Sequence, residues 1–157
     1  TAGLLCVGCR PEKLKPYESA GSNGDVASLA TVWKGQSAIQ TDNNAVNKNF
    51  PYKTLDISQS LKISEWKLTL NAAGNTPGAF TMEYGTAPSF FKFSSGNWKV
   101  DDASKAGEVF LINDASTDTL SFVIGSYQNL LNNKLVLTTQ KFLLGKPVIT
   151  YEYTFVK

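Results

Sequence analysis

Residues 147–156 read Pro-Val-Ile-Thr-Tyr-Glu-Tyr-Thr-Phe-Val and alternate between apolar and polar side chains. Since successive side chains of an extended chain point to opposite faces, four apolar residues share one face: Ile149, Tyr151, Tyr153 and Phe155. The residues between them, including Glu152, belong to the other face. One apolar and one solvated face is typical of an antiparallel sheet. The stretch therefore predicts a strand whose aromatic side chains enter a core.

The same period of two recurs toward the N-terminus, between clusters of Gly, Asn, Asp and Pro. We predict eight strands, at about 28–40, 53–71, 79–84, 90–100, 108–112, 119–125, 134–141 and 147–156. No stretch keeps a period of 3.6 residues long enough for a core helix. Short turns join these strands in order, which predicts an all-β, antiparallel up-and-down barrel of about eight strands. A two-sheet β-sandwich is the alternative.

Local signals refine this prediction. We predict a break in the second strand near residues 58–60. Beyond it, Ile63 and Trp66 have opposite parity, so we predict a bulge near Ser64 and Glu65. An Asn-rich loop is expected at 41–49, turns at 73–78 and 101–106, and an interruption of the fourth strand at 94–96.

Composition excludes several classes of function. The 157 residues carry a formal net charge of +2, and Arg10 is the only arginine. We therefore expect no nucleic-acid binding, which relies on clustered basic residues and arginine forks. The sequence contains no histidine, the commonest general base and metal ligand. Apart from Cys6 and Cys9 it contains no cysteine, so we expect no metal site and no cofactor.

The first residues resemble a bacterial lipobox, in which small or apolar residues ending in Gly precede a lipidated cysteine. The sequence Leu-Leu-Cys-Val-Gly-Cys ends at Cys9, which would be the lipidated residue, although Cys6 stands where the pattern prefers Leu. A redox Cys-x-x-Cys pair and a functionless apolar tail are the alternatives. We expect residues 1–9 to be a signal-peptide remnant, 10–27 a flexible tether and 28–157 the barrel domain.

Several motifs together resemble a family of lipocalin-like lipoproteins from Bacteroidetes whose function is unassigned. They are Trp33-Lys34-Gly35, Ser95-Gly96-Asn97-Trp98, Asp101-Asp102 and Tyr151-x-Tyr153-x-Phe155, in addition to the lipobox. In lipocalins proper Gly precedes this Trp, which closes one end of the barrel; here Gly follows it. The resemblance implies an envelope-anchored lipocalin-like barrel and brings no catalytic residues.

Few residues suggest chemistry. Asp101-Asp102 is the only adjacent acidic pair, interpretable as a carboxylate dyad, a Ca²⁺ site or, as we favour, a capped polar turn. Trp33 and Trp66 suit a core or a barrel plug, whereas Trp98 suits either a core or a stacking surface. The candidate ligand-binding residues are Trp98, Tyr151, Tyr153 and Phe155.

The sequence thus predicts a non-enzymatic envelope lipoprotein. It would be secreted across the inner membrane and held, by lipid on Cys9, in the outer membrane. A small lipophilic or amphipathic ligand would occupy a barrel cavity lined by the aromatic residues of the last strand. The alternative is an interaction or assembly protein that contacts a protein or glycan partner through exposed aromatic residues or the loop at 43–49.

Overall fold

A computed structural model describes residues 24–157. The predictions about residues 1–23, including lipidation at Cys9, lie outside this range. The strands are β1 Val32–Asp42, β2 Thr54–Asp56, β3 Lys67–Ala73, β4 Thr76–Glu83, β5 Ser95–Val100, β6 Glu108–Asn113, β7 Thr119–Ile124, β8 Lys134–Leu143 and β9 Lys146–Val156. The helices are α1 Val26–Leu29, α2 Asn43–Asn47, a 3₁₀ turn at Ile63–Glu65, and α3 Tyr127–Leu131.

The strands form one antiparallel sheet that closes on itself. From β3 to β9, each strand pairs with the next in sequence. Strand β1 pairs with β3 near its start and with β9 along its other edge, from Lys34 opposite Val156 to Asp42 opposite Ile149. Eight strands thus form a closed lipocalin-like barrel, and β2 is an extra strand on the far half of β1. The barrel prediction is confirmed, and the sandwich alternative is wrong because the first and last strands pair.

The alternating pattern of β9 is also confirmed. Tyr151, Tyr153 and Phe155 are buried, whereas Glu152 is exposed. On β7, Phe122 and Ile124 are likewise buried and Ser121 is exposed. The period of two is strict in this part of the barrel because each wall has the core on one side and solvent on the other.

One end of the barrel, which we call the closed end, is covered by α1 and α3. Asp25 begins α1 by accepting a hydrogen bond from Ser28 N, and Val26 and Leu29 are fully buried. Residues 25–29 therefore pack against the barrel, and the first strand starts at Val32 instead of near residue 28. The capping carboxylate explains this difference, because it favours a helical turn where alternation suggested a strand.

The predicted break in the second strand is confirmed, because the strand is two separate elements. Strand β2 pairs with β1, and the chain then forms the 3₁₀ turn before β3 begins at Lys67. The predicted bulge near Ser64 and Glu65 is wrong: the 3₁₀ turn changes the direction of the side chains, so both Ile63 and Trp66 are buried.

The predicted fourth strand is much shorter than expected. Residues 90–93 are outside any strand, and β5 begins at Ser95 and runs through Gly96 without interruption. Gly96 has a φ of 151°, and an added Cβ would collide with the carbonyl oxygen of Ile112. Glycine therefore allows β5 and β6 to approach closely, instead of breaking the strand.

The remaining differences are local. The turn expected at 73–78 is only the two residues Gly74 and Asn75, and α2 forms within the predicted loop 41–49. Residues 101–107 connect β5 and β6 outside any strand, close to the turn expected at 101–106.

Candidate functional site

The two tyrosines of β9 belong to an aromatic cluster inside the barrel. Tyr151 and Tyr153 stack with ring centroids 6.2 Å apart and planes 10° apart. The ring of Tyr153 also lies 5.6 Å from Phe91 and 5.9 Å from Trp66. We define the aromatic cluster as Trp66, Tyr84, Phe90, Phe91, Phe122, Tyr151 and Tyr153. These rings pack against one another in the barrel interior.

Phe90 and Phe91 come from the connection between β4 and β5, which folds onto the cluster. The backbone N–H of Phe91 donates a 3.1 Å hydrogen bond to the Tyr84 hydroxyl oxygen. The Glu65 carboxylate accepts hydrogen bonds from the backbone N–H and, at 2.7 Å, from the hydroxyl of Thr86. These bonds hold the pKa of Glu65 below its ordinary value and fasten the connection to the 3₁₀ turn.

Phe90 is the outermost ring of the cluster, with 37% of its surface exposed. It contacts Trp66 and Tyr151 at centroid distances of 6.0 and 5.9 Å. It therefore covers the end of the barrel opposite the closed end, which we call the rim.

The aromatic cluster is electrically neutral. Burial raises the pKa of Tyr153 far above its ordinary value, and burial also raises the pKa of Tyr84. Among residues 24–157, no charged or polar side chain is in the buried class. The described interior thus offers apolar and neutral aromatic surface, which includes the hydroxyls of buried tyrosines.

The structure brings together only part of the predicted ligand-binding set. Phe155 is buried toward the closed end, where it lies opposite Gly35 and Leu135. Trp98 is also buried, and its indole Nε1 donates a 2.6 Å hydrogen bond to the carbonyl oxygen of Asn71. In the described part of the chain, no aromatic contact joins Trp98 to Tyr151 or Tyr153.

Asp101 and Asp102 bind the backbone of their own turn. The carboxylate of Asp101 accepts hydrogen bonds from the N–H groups of Gly107 and Glu108, at 2.8 and 2.9 Å, and these bonds lower its pKa. Asp102 accepts from Ser104 N at 2.8 Å. The geometry is that of the capped polar turn. Within residues 24–157, no three His, Cys, Asp or Glu side chains are grouped so as to hold a metal ion.

Two of the open grooves in the described residues lie along the barrel wall, and the first is lined partly by inward-facing side chains. One, of about 660 Å³, follows the line where β7 and β8 separate, and Leu120, Phe122 and Phe142 contribute to its lining. These strands pair only at Val123 with Thr138 and at Ile124 with Leu137. The other, of about 650 Å³, lies over β4, β5 and β6 and is lined by residues that include Asn97 and Lys99.

The end of β8 and the turn after it carry exposed apolar residues that were not among the predicted site residues. Phe142, Leu143 and Leu144 are 62%, 63% and 95% exposed. Their sequence signal was present, because three consecutive apolar residues before Gly145 break the alternation of the neighbouring strands. Phe90 and Phe91 were also missed, since they fell inside a predicted strand.

No helix in the described range 24–157 is long and apolar enough to cross a membrane. The chain matches no family model, and no curated protein shows significant similarity to it.

Proposed function

We propose that this chain is a non-enzymatic binding protein of the bacterial cell envelope that acts through its outer surface and rim. The observation that carries the proposal is the aromatic cluster, in which Phe90 and Phe91 pack onto Trp66 and Tyr153. An eight-stranded barrel is narrow enough for its own side chains to fill it. Such filling favours the interaction protein over the predicted cavity protein.

The apolar surface that remains for binding supports the same proposal. It is concentrated near the rim, where Tyr52, Leu55, Phe142 and Leu144 are exposed by 59% or more. Exposed apolar groups that cluster on a folded domain are typical of interaction sites.

A filled barrel predicts that the purified protein carries no small molecule. We expect native mass spectrometry of the full chain, purified from envelopes, to give the protein mass with no non-covalent addition. A discrete ligand mass, lost after organic extraction, would contradict the proposal. In a second experiment the protein is incubated with envelope lipid extract before the mass measurement. We again expect the protein mass with no non-covalent addition.

A lipophilic ligand inside the barrel is the second candidate function. Phe90 favours it, because this half-exposed ring lies outside any strand and covers Tyr151 at the rim. Displacement of Phe90 would expose the stacked tyrosines to a ligand. Under this alternative Phe90→Ala increases the amount of lipid that co-purifies, whereas under the main proposal the variant remains free of ligand.

The envelope location rests on the lipobox and on a lipid at Cys9. The expected result for Cys9→Ala is release of the chain from the membrane pellet into the soluble fraction. Cys6→Ala is the matched control and should remain in the pellet, because Cys6 precedes the cleavage site. A Cys9→Ala protein that pellets as completely as the control would show that the lipobox interpretation is wrong.

A further inference from the structure

The connection between β8 and β9 projects beyond the rest of the barrel wall. The two strands pair from Lys134 with Val156 as far as Leu143 with Lys146, whereas the pairing of β1 with β9 stops at Ile149. Residues 142–147, which we call the hairpin tip, therefore extend past the end of β1. Phe142, Leu143 and Leu144 are all exposed in this projection. Such a run of exposed apolar residues is unusual on a folded domain unless it has a function.

Leu144 also has a backbone conformation that is unfavourable for leucine. It forms the two-residue turn with Gly145, and both residues have positive φ, of 50° and 74°. Two-residue hairpin turns of this kind favour Asn-Gly, because a bulky side chain is strained at positive φ. Leu144 thus combines 95% exposure with a disfavoured conformation. A residue that serves neither packing nor the turn points to a role outside folding.

The charges around the hairpin tip are positive. Lys141 and Lys146 flank it in sequence, and both are exposed. Lys53 lies near the same rim, because its carbonyl oxygen accepts a hydrogen bond from Asp42 N. Within residues 24–157, none of these three lysines forms a salt bridge.

The acidic groups near this rim have other partners. The Asp42 carboxylate caps α2 by accepting from Asn44 N at 2.8 Å. Asp118 lies 3.8 Å from the amine of Lys92, and Asp114 accepts a hydrogen bond from the Ser95 hydroxyl. The tip is thus a convex apolar projection flanked by lysines. The amine of Lys141 lies 5.3 Å from the ring centre of Tyr151, whereas Lys146 has neither a ring contact nor a salt bridge within residues 24–157.

We propose that the hairpin tip is a membrane-contact site that inserts into the interface of a bilayer containing anionic lipids. Leu144, Phe142 and Leu143 would enter the boundary between headgroups and acyl chains, and Lys146 would meet the lipid phosphates. A convex tip with three apolar side chains cannot bury the roughly 800 Å² per partner of a standard protein interface. A fluid bilayer, in contrast, adapts to its shape. The inference rests on the proposed function and names a partner for the outer surface.

The test measures binding of the full chain carrying Cys9→Ala, so that no attached lipid contributes, to two kinds of vesicle. One contains phosphatidylcholine and phosphatidylglycerol in equal parts, and the other contains phosphatidylcholine alone. We expect co-sedimentation with the mixed vesicles, and Leu144→Asn should weaken it by about tenfold or more. Lys146→Gln should weaken binding to the mixed vesicles and leave binding to phosphatidylcholine unchanged.

A stability measurement and a control variant distinguish a loss of membrane binding from unfolding of the protein. Leu144→Asn creates the Asn-Gly turn that this backbone favours, so we expect the melting temperature to stay equal or rise while vesicle binding falls. Leu131→Asn is the matched control, since Leu131 is 45% exposed on α3 at the closed end, and it should bind vesicles like the parent chain.

Three outcomes would overturn the inference: no binding to the mixed vesicles, equal binding by Leu144→Asn and its parent, or a concentration-dependent dimer that Leu144→Asn abolishes. The last outcome would identify a second copy of the chain as the occupant of the tip. None of these outcomes depends on a ligand inside the barrel. The proposed function is therefore tested separately, by the mass measurement.

Discussion

The indole Nε1 of Trp33 donates a 2.9 Å hydrogen bond to the carbonyl oxygen of Leu29. Because Leu29 is the last residue of α1 and Trp33 is the second residue of β1, this bond ties the covering helix to the barrel wall. Both side chains are fully buried.

Trp33→Phe should destabilise the protein by about 3 kcal/mol, since it removes a buried hydrogen bond and leaves a void. The Leu29 carbonyl keeps only the hydrogen bond that it accepts from Thr31 N. Urea unfolding followed by circular dichroism measures the change. Lys157→Ala is the control: it removes the amine that lies 5.2 Å from the Trp33 ring centre and should cost at most about 1 kcal/mol. Equal effects of the two substitutions would contradict the structural role of the indole N–H.

Gly35 is required by close packing against the 3₁₀ turn. A Cβ at this position would collide with the backbone carbonyl oxygen of Ile63. We expect Gly35→Ala to lower the free energy of unfolding by about 3 kcal/mol, because one backbone segment must move. A Cβ at Gly74 would contact nothing, so Gly74→Ala is disfavoured only by the positive φ of 60°. We expect it to lower the free energy of unfolding by about 1 kcal/mol. If the two variants unfold at the same urea concentration, the close approach at Gly35 is wrong.

Tyr153 should make the protein sensitive to alkali. Its pKa is raised in the folded state, so the folded protein keeps a proton that the unfolded chain releases above its ordinary pKa of 10.0. This contribution to stability is complete below pH 10.0 and is lost as the pH rises above that value. Tyr153→Phe should therefore show a weaker loss of stability above pH 10.0, and its stability at neutral pH should change by only about 1 kcal/mol. Melting temperatures of both proteins, measured as a function of pH, test this effect of Tyr153. If the two melting temperatures fall in parallel above pH 10.0, the prediction is wrong.

Asp101 distinguishes a capped turn from a calcium site. Asp101→Ala removes the acceptor for two backbone N–H groups and should destabilise the protein by about 1–2 kcal/mol. Addition of CaCl₂ to the unaltered protein should leave its melting temperature unchanged, since the carboxylate is already occupied by its own turn. A calcium-dependent rise in melting temperature that Asp101→Ala abolishes would instead assign a metal site.

The sequence predicted the barrel best where burial alone determines the pattern. Strand β7, the first half of β8 and the second half of β9 alternate, and the predicted bounds of the three strands agree with the structure to within about two residues. The prediction failed where tertiary contacts determine the backbone conformation. Phe90 and Phe91 have strand propensity, but burial of their rings against Trp66 holds this segment as a covering loop.

Short helices were missed although their start signals were readable. Asp25, Asp42 and Ser126 each cap one of them by accepting a hydrogen bond from a backbone N–H. Helices of four or five residues show too little periodicity to be recognised, so only the caps reveal them. For the candidate site, alternation predicted the inward tyrosines of β9. It did not predict which other rings would fill the space in front of them.

The pairing of β1 with β9 determines when the protein can fold during synthesis. It joins Lys34 to Val156, which lie near the two ends of the described chain. Next to it, Asn43 of α2 is linked to Thr150, 107 residues away, by a 3.1 Å hydrogen bond. A nascent chain that lacks β9 has open edges on both β1 and β8, and such edges recruit strands of other molecules. Closure over so long a separation is slow, because most of the chain must be ordered before the final contacts form. Products of premature termination before residue 149 should therefore be prone to aggregation and depend on chaperones or proteases for their removal.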